Sequence, residues 1–191
     1  MRRLIVVGAG GHGRSVAEAV LASSQFELTG FLDDSFPGLA KVWDFPVLGT
    51  TADIFRCRAF TEAAVVAIGK NELREVLCDQ VLLAGFELAT VLHPSATISP
   101  RAALGEGCTI MAGATVGTEA QLGKGVIVNS GAVVDHHCRV DDFGHLGVHA
   151  AMAGGSVLGR GAWMQAGSAL GYGVNIGAGV VLAPGEAISQ C

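Results

Sequence analysis

Ile98-Ser-Pro-Arg-Ala-Ala-Leu104-Gly-Glu-Gly-Cys-Thr-Ile110-Met-Ala-Gly-Ala-Thr-Val116 opens a run in which every sixth residue is aliphatic, and that run decides the fold. It continues through Leu122, Val128, Val134, Val140, Leu146, Met152, Leu158, Met164, Leu170, Ile176, Leu182 and Ile188, sixteen consecutive positions without an insertion. A small residue precedes many of these by two, as at Ala102, Cys108, Ala114, Ala120, Ala132, Ala150, Ser156, Ala162 and Ser168. Glycine often follows, as at Gly105, Gly117, Gly123, Gly147, Gly159, Gly171 and Gly177. A period of six matches neither the 3.6-residue helix nor a sustained two-residue alternation. It fits a solenoid of short strands joined by corners, with the aliphatic residue inward, the small residue in the tapering space beside it and glycine where the backbone crowds. A purely structural solenoid, such as a ruler or an ice-binding surface, is the bland alternative. Thr109, Thr115 and Thr118 do not form the flat threonine ladder that ice binding requires.

Residues 1 to 92 are punctuated differently. Leu4 to Val7 reads as a strand, Gly8-Ala-Gly-Gly-His-Gly13 as a tight loop, and Arg14 to Leu21 as a helix with Val16, Ala17, Val20 and Leu21 on one side. Leu28 to Leu32 reads as a second strand ending at Asp33-Asp34, and Ala64 to Ile68 as a later one followed by a helix from Glu72 to Ala84. Strands alternating with helices predict a small parallel α/β sheet, a Rossmann-like domain preceding the solenoid of residues 93 to 191. Gly8, Gly10 and Gly13 satisfy G-x-G-x-x-G between a strand and a helix. Glycines there let a backbone approach phosphate, and the helix N-terminus favours its charge. The domain is too short for a full dinucleotide fold, so a mononucleotide site is favoured over an NAD-dependent enzyme. A structural turn whose glycines only permit close packing is the other reading. His12 is placed to donate to a phosphate or hydroxyl, and Asp33 and Asp34 to accept from a base or ribose. Lys70 and Arg74 read as solvated helix charges, and Asn71 as that helix's cap.

Composition narrows the function classes. The 191 residues carry a net charge of -5 and only 15% charged side chains, with 50% hydrophobic, so no basic field exists for nucleic acid. The longest apolar runs, such as Ala63 to Ile68, fall far short of the ~20 residues that span a bilayer, so no membrane partner is expected. Arg2-Arg3 before Leu4 to Val7 faintly imitates a signal sequence, but the glycine loop interrupts it and the segment reads as a buried strand. Five cysteines (Cys57, Cys78, Cys108, Cys138, Cys191), widely spaced and without a C-x-x-C pair, fit a reduced, cytoplasmic protein.

Gly8-Ala-Gly-Gly-His-Gly13, Phe31-Leu-Asp-Asp34, Ala67-Ile-Gly-Lys-Asn-Glu72 and His93-Pro-Ser-Ala-Thr-Ile-Ser-Pro100 leading into hexads together resemble one bacterial family. It is the nucleotide-aminosugar N-acetyltransferases of the sialic-acid O-acetyltransferase group, including the bacillosamine-pathway enzymes. The resemblance covers nearly the whole chain. It implies a left-handed parallel β-helix in which three hexads make one triangular coil, hence about five coils at the ~4.8 Å strand spacing, a prism roughly 25 Å tall. It further implies that the first domain binds the nucleotide sugar, that the co-substrate acetyl-CoA lies against the solenoid, and that the chains form a homotrimer. Position by position, Gly10, Gly11 and His12 match the phosphate and sugar loop, Asp33 and Asp34 the acids on the base, and Gly69 a further substrate contact. His136 matches the general base; His145 and Ala166 match acetyl-CoA contacts, as does the position of Pro184, which has no N–H to donate. Where the family commonly has an acid just after the base, this chain has His137, and it stops at Cys191 without the usual tail.

Four of six histidines, His136, His137, His145 and His149, fall within fourteen residues, off the inward aliphatic positions and beside Asp135, Asp141 and Asp142. An imidazole, with its ordinary pKa near 6.5, suits removal of the proton that an attacking amine loses at a thioester carbonyl. Carboxylates can orient it. Backbone N–H groups of the coil are the candidates for stabilising the oxyanion. A zinc site of the carbonic-anhydrase type is a competing reading, but it needs three convergent ligands, and none is assigned. The expected reaction is N-acetylation of an amino group on a nucleotide-linked sugar, foremost a UDP-4-amino-4,6-dideoxyhexose. O-acetylation of a sialic-acid-like sugar and a non-catalytic nucleotide-sugar-binding scaffold are the alternatives.

Overall fold

The computed structural model describes residues 1 to 189, and Cys191 lies outside them. The chain divides into two compact units, Met1–Leu92 and His93–Cys191.

In the first unit β1 (Arg2–Val7) leads through α1 (Gly11–Ser23) to β2 (Phe26–Leu32), and β5 (Ala63–Val66) leads through α3 (Asn71–Leu83) to β6 (Glu87–Leu88). Between the two halves lie the hairpin of β3 (Lys41–Val42) and β4 (Phe45–Pro46), a 3-10 turn at Thr51–Asp53 and the short helix α2 (Ile54–Cys57). The sequence reading contains none of these, because each is short and, unlike the solenoid strands, does not repeat, so it leaves no periodicity. The four main strands form a parallel sheet ordered β2-β1-β5-β6. Leu4, Ile5, Val6 and Val7 are buried, as are all four residues of β5, so these strands read as continuous apolar runs, not alternations. β1 and β2 slip register between Leu4 and Ile5, where Thr29 Oγ1 donates to the Leu4 carbonyl at 2.8 Å. From β1 one crossover steps outward to β2, while from β5 another steps the opposite way to β6. With right-handed crossovers, the sheet therefore has a topological switch between β1 and β5, and ligands of such sheets bind beyond the strand C-termini at that point.

In the second unit each of the sixteen aliphatic residues is the second residue of a two-residue strand, from Thr97–Ile98 to Ala187–Ile188. Each strand pairs in parallel with the one eighteen residues on, as Thr109↔Ile127 and Ile127↔His145. Three strands close one coil, giving a three-sided prism. Ile110, Leu146, Met152, Leu158 and Met164 fill its axis, and Cys108, Ala114, Ala132, Ala162, Ser156 and Ser168 are buried at its corners. Gly117 follows an inward residue, and a Cβ there would come within 2.8 Å of the backbone nitrogen of His136 in the next coil, so glycine sets the coil-to-coil approach. A second row, every sixth residue from Gly107 to Gly185, has positive φ at the corners.

Candidate active site

The glycine loop separates into two kinds of glycine. Gly8 has φ +108°, and a Cβ on Gly13 would stand 2.0 Å from the Gly8 carbonyl oxygen, so both serve to seat α1 against the end of β1. Gly10 and Gly11 face open space, and a methyl on either would meet nothing within 4 Å. They sit at the N-terminus of a thirteen-residue helix whose cap position, Gly10, supplies no side-chain cap. Exposed N–H groups and an open approach are what a phosphate needs.

The neighbouring strand ends complete this crevice. Asp33 closes β2: its Oδ2 accepts from the Ala9 N–H at 2.7 Å and its Oδ1 from the Ser35 N–H at 2.9 Å. Burial raises its pKa, but those hydrogen bonds outweigh it and hold the carboxyl below the ordinary range. Asp33 thus fixes the glycine loop itself. Asp34 Oδ1 accepts from the Thr51 N–H at 2.9 Å and Oγ1 at 2.8 Å, leaving an exposed carboxylate at the rim. Gly69 follows β5, and its carbonyl accepts from Arg74 Nη1 at 3.3 Å, alongside the Ile68 carbonyl at 3.0 Å. Arg74, expected on the solvated face, is instead 1% exposed, because the two carbonyls at the strand end offer its guanidinium an internal anchor. Asn71 opens α3, whose cap position falls on Lys70. His12 Nε2 is buried with no hydrogen-bond partner. Its pKa is pushed down to about 4, first by burial and then by the charge of Arg74, so the imidazole is neutral at physiological pH.

In the prism the four clustered histidines part company, because fourteen residues wrap most of the way around a coil. His136 and His137 share the corner between the strands Val133–Val134 and Arg139–Val140. His136 is 47% exposed; its N–H donates to Asp135 Oδ1 at 2.7 Å, and its Nε2 is 3.8 Å from Asp135 Oδ2. Its ring lies over Gly154, where a Cβ would stand 2.3 Å from the His136 Cε1. His149 turns a different corner, its ring over Gly131. Among the described residues no three His, Cys, Asp or Glu side chains converge to hold a metal.

His145 lies within the strand His145–Leu146, 6% exposed, and stacks on Trp163 of the next coil with ring centroids 5.2 Å apart and planes 12° from parallel. Ala166 and Pro184 are exposed one above the other on the corner following that face. One side of the prism, six residues and up to roughly 20 Å, separates that corner from His136. A single chain therefore does not bring the candidate base to the candidate cofactor contacts. A cleft of about 520 Å³ lies on the face that follows the His136 corner and at the Asp141–Asp142 corner beyond it, lined by Gln121, Arg139, Asp141, Asp142 and Arg160 among others. Its cations are paired, Arg139 Nε with Asp141 Oδ1 at 3.0 Å and Arg160 Nη1 with Asp142 Oδ2 at 2.7 Å. The sequence reading missed Trp163, Gly154, Arg139 and Arg160. Gly154 had a signal, since it stands one coil after His136.

Residues 3–81 match the family model of the PglD N-terminal domain. UDP-N-acetylbacillosamine N-acetyltransferase of Bacillus subtilis (strain 168) is 33% identical over 116 residues, a match spanning 59% of this chain and about half, 52%, of that curated relative. A histidine variant of perosamine N-acetyltransferase from Caulobacter crescentus, solved in complex with CoA and GDP-perosamine, superposes with a TM-score of 0.93 at 33% identity, covering 98% of this chain and 89% of that one. The acetyltransferase domain of PglB from Neisseria gonorrhoeae FA1090, solved with acetyl coenzyme A, gives 0.79 at 36% identity, covering 99% and 96%. With its glycine-loop domain followed by a left-handed β-helix, the chain belongs to the bacterial nucleotide-amino-sugar N-acetyltransferase family.

Proposed function

We propose that the chain transfers the acetyl group of acetyl-CoA to the amino group of a nucleotide-linked amino sugar, with a UDP-4-amino-4,6-dideoxyhexose as the leading substrate and a GDP-linked amino sugar as the second. The observation that carries this reading is the likeness, over 98% of the chain, to an acetyltransferase solved with CoA and GDP-perosamine. The open backbone at Gly10 and Gly11 and the neutral His12 receive the diphosphate and sugar. Asp34, at the rim, accepts from the base, Asp33 holds the loop in shape, and Gly69 lines the opposite strand end.

His136 Nε2 takes the proton from the substrate nitrogen as that nitrogen attacks the thioester carbonyl. The C–N bond forms, the C–S bond breaks, and His136 returns the proton to the departing CoA thiolate. His145, Ala166 and Pro184 line the acetyl-CoA path. Because they stand a prism side away from His136, we assign the complete site to a homotrimer in which one chain's corner faces another's cofactor wall. The reaction belongs in the cytoplasm, in keeping with the free, buried Cys57, Cys78, Cys108 and Cys138.

A panel of UDP-, GDP- and dTDP-linked amino sugars with acetyl-CoA, read by thiol release, tests the assignment. Turnover of at least one amino sugar is expected. O-acetylation of a sialic acid without turnover of any amine would overturn it.

A further inference from the structure

The corner row of positive φ is glycine at ten of its fourteen positions from 107 to 185, and the exceptions are Glu119, His137, Phe143 and His149. Glu119 (φ 60°) and His137 (φ 57°) occupy the same corner one coil apart, where the next coils have Gly155 and Gly173. A bulky residue in the left-handed region costs conformational energy, and such outliers gather where function holds them. Here the two strained side chains meet: His137 Nε2 is 2.9 Å from Glu119 Oε2. On its other side His137 Nδ1 is 3.0 Å from His136 Nδ1, with the rings edge to face at 86°.

Proton positions follow from these two distances. A carboxylate only accepts, so His137 carries a hydrogen on Nε2. In neutral His137, Nδ1 is then a lone pair, and the 3.0 Å contact between two ring nitrogens requires the hydrogen to sit on His136 Nδ1. His136 Nε2 is left with its lone pair. Asp135 Oδ2, at 3.8 Å, is too far to hold a hydrogen on that nitrogen but close enough to favour the imidazolium once it forms.

We propose that Glu119 and His137 are positioning residues that hold His136 in its Nδ1–H tautomer, presenting Nε2 as the base. The inference rests on the reading of His136 as the general base, and it supplies the acid that the chain lacks directly after it. Glu119 reaches His136 through His137 from the coil below. During transfer the Nδ1 hydrogen stays on His136, while Nε2 gains the substrate's proton and passes it to the thiolate. The resulting imidazolium is stabilised along the chain that ends on Glu119.

Long-range nitrogen–proton correlation NMR on the full chain, with ¹⁵N-labelled histidine and signals assigned by single histidine substitutions, reads both tautomers without substrate. The expected result is Nδ1–H on His136 and Nε2–H on His137. His137→Gly and Glu119→Gly suit the positive φ and should fold; both should move His136 toward Nε2–H. His137→Asn, whose side-chain oxygen falls near the Nδ1 position, should keep the tautomer. In turnover, His137→Gly should lower kcat by about 10- to 100-fold with both KM values little changed, and His137→Asn should recover most of the loss. His136 carrying its hydrogen on Nε2 in the unaltered protein, or a tautomer indifferent to His137→Gly, would overturn the relay. The expected tautomers in a protein that acetylates no amino sugar would support the relay and sink the assigned reaction instead.

Discussion

His145 and Trp163 stack face to face across two successive coils, 5.2 Å between centroids and 12° between planes. The solenoid's eighteen-residue register puts them in adjacent strands at the same outward position. An aromatic pair of this kind contributes about 0.5–1.5 kcal/mol, enough to hold the His145 imidazole in one orientation, as the acetyl-CoA contact proposed for it requires. Trp163→Leu keeps apolar bulk but removes the ring. Steady-state kinetics should show a KM for acetyl-CoA raised roughly 2- to 10-fold, with kcat changing less. An unaltered KM would separate His145 from acetyl-CoA binding.

Loss of the proposed base should have a far larger effect. His136→Ala is expected to lower kcat by about 10²- to 10⁴-fold while nucleotide-sugar affinity, measured by calorimetry, stays nearly constant. His136 is half-exposed on a corner and outside the aliphatic core, so the melting temperature should barely move. A fully active variant would make His137 the next candidate.

Gly154 tests the placement of that ring without touching it chemically. A methyl there would lie 2.3 Å from the His136 ring, and a side-chain tip yields more easily than a backbone. Gly154→Ala should therefore displace the imidazole, lowering kcat by at least about 10-fold with little change in thermal unfolding. Wild-type turnover would show that the ring is not held over Gly154 during the reaction.

The glycine loop yields a contrast between neighbours. Gly13→Ala drives a methyl against a backbone oxygen 2.0 Å away and should cost about 1–3 kcal/mol or more in urea unfolding. Gly10→Ala and Gly11→Ala meet open space and should fold normally, but weaken nucleotide-sugar binding by crowding the phosphate approach. Undiminished affinity in both would remove this loop from the substrate site.

His12 gives the protein an acid sensitivity of definite sign. Its folded pKa, about 4, lies below the ordinary 6.5, so between those values the unfolded chain binds more protons than the folded one. Its contribution to stability is complete above pH 6.5, declines as pH falls toward 4, and changes no further below that. The urea midpoint of His12→Asn should fall less steeply than that of the unaltered protein across this window. Parallel slopes would mean that His12 titrates normally in the fold.

The aliphatic residues at a period of six were sufficient, without any structure, to specify a solenoid, because each inward position repeats the same burial problem and admits the same solution. The strands read at Leu4 to Val7, Leu28 to Leu32 and Ala64 to Ile68, alternating with helices, likewise specify a parallel sheet, and the continuous burial of Leu4 to Val7 in β1 and of β5 is what a sheet covered on both faces requires. What periodicity does not encode is which outward side chains meet. Glu119 and His137 lie eighteen residues apart in sequence yet touch, because the coil pitch stacks their corners. His136 and His145 are nine apart and do not share a corner, because the chain turns between them. Arg74 sits in a helical pattern that reads as solvated, and only the position of two strand-end carbonyls draws it inside. Burial of the repeating aliphatic positions follows from the sequence pattern, whereas hydrogen-bond partnership across coils and strand ends, and with it the burial of Arg74, depends on the assembled geometry.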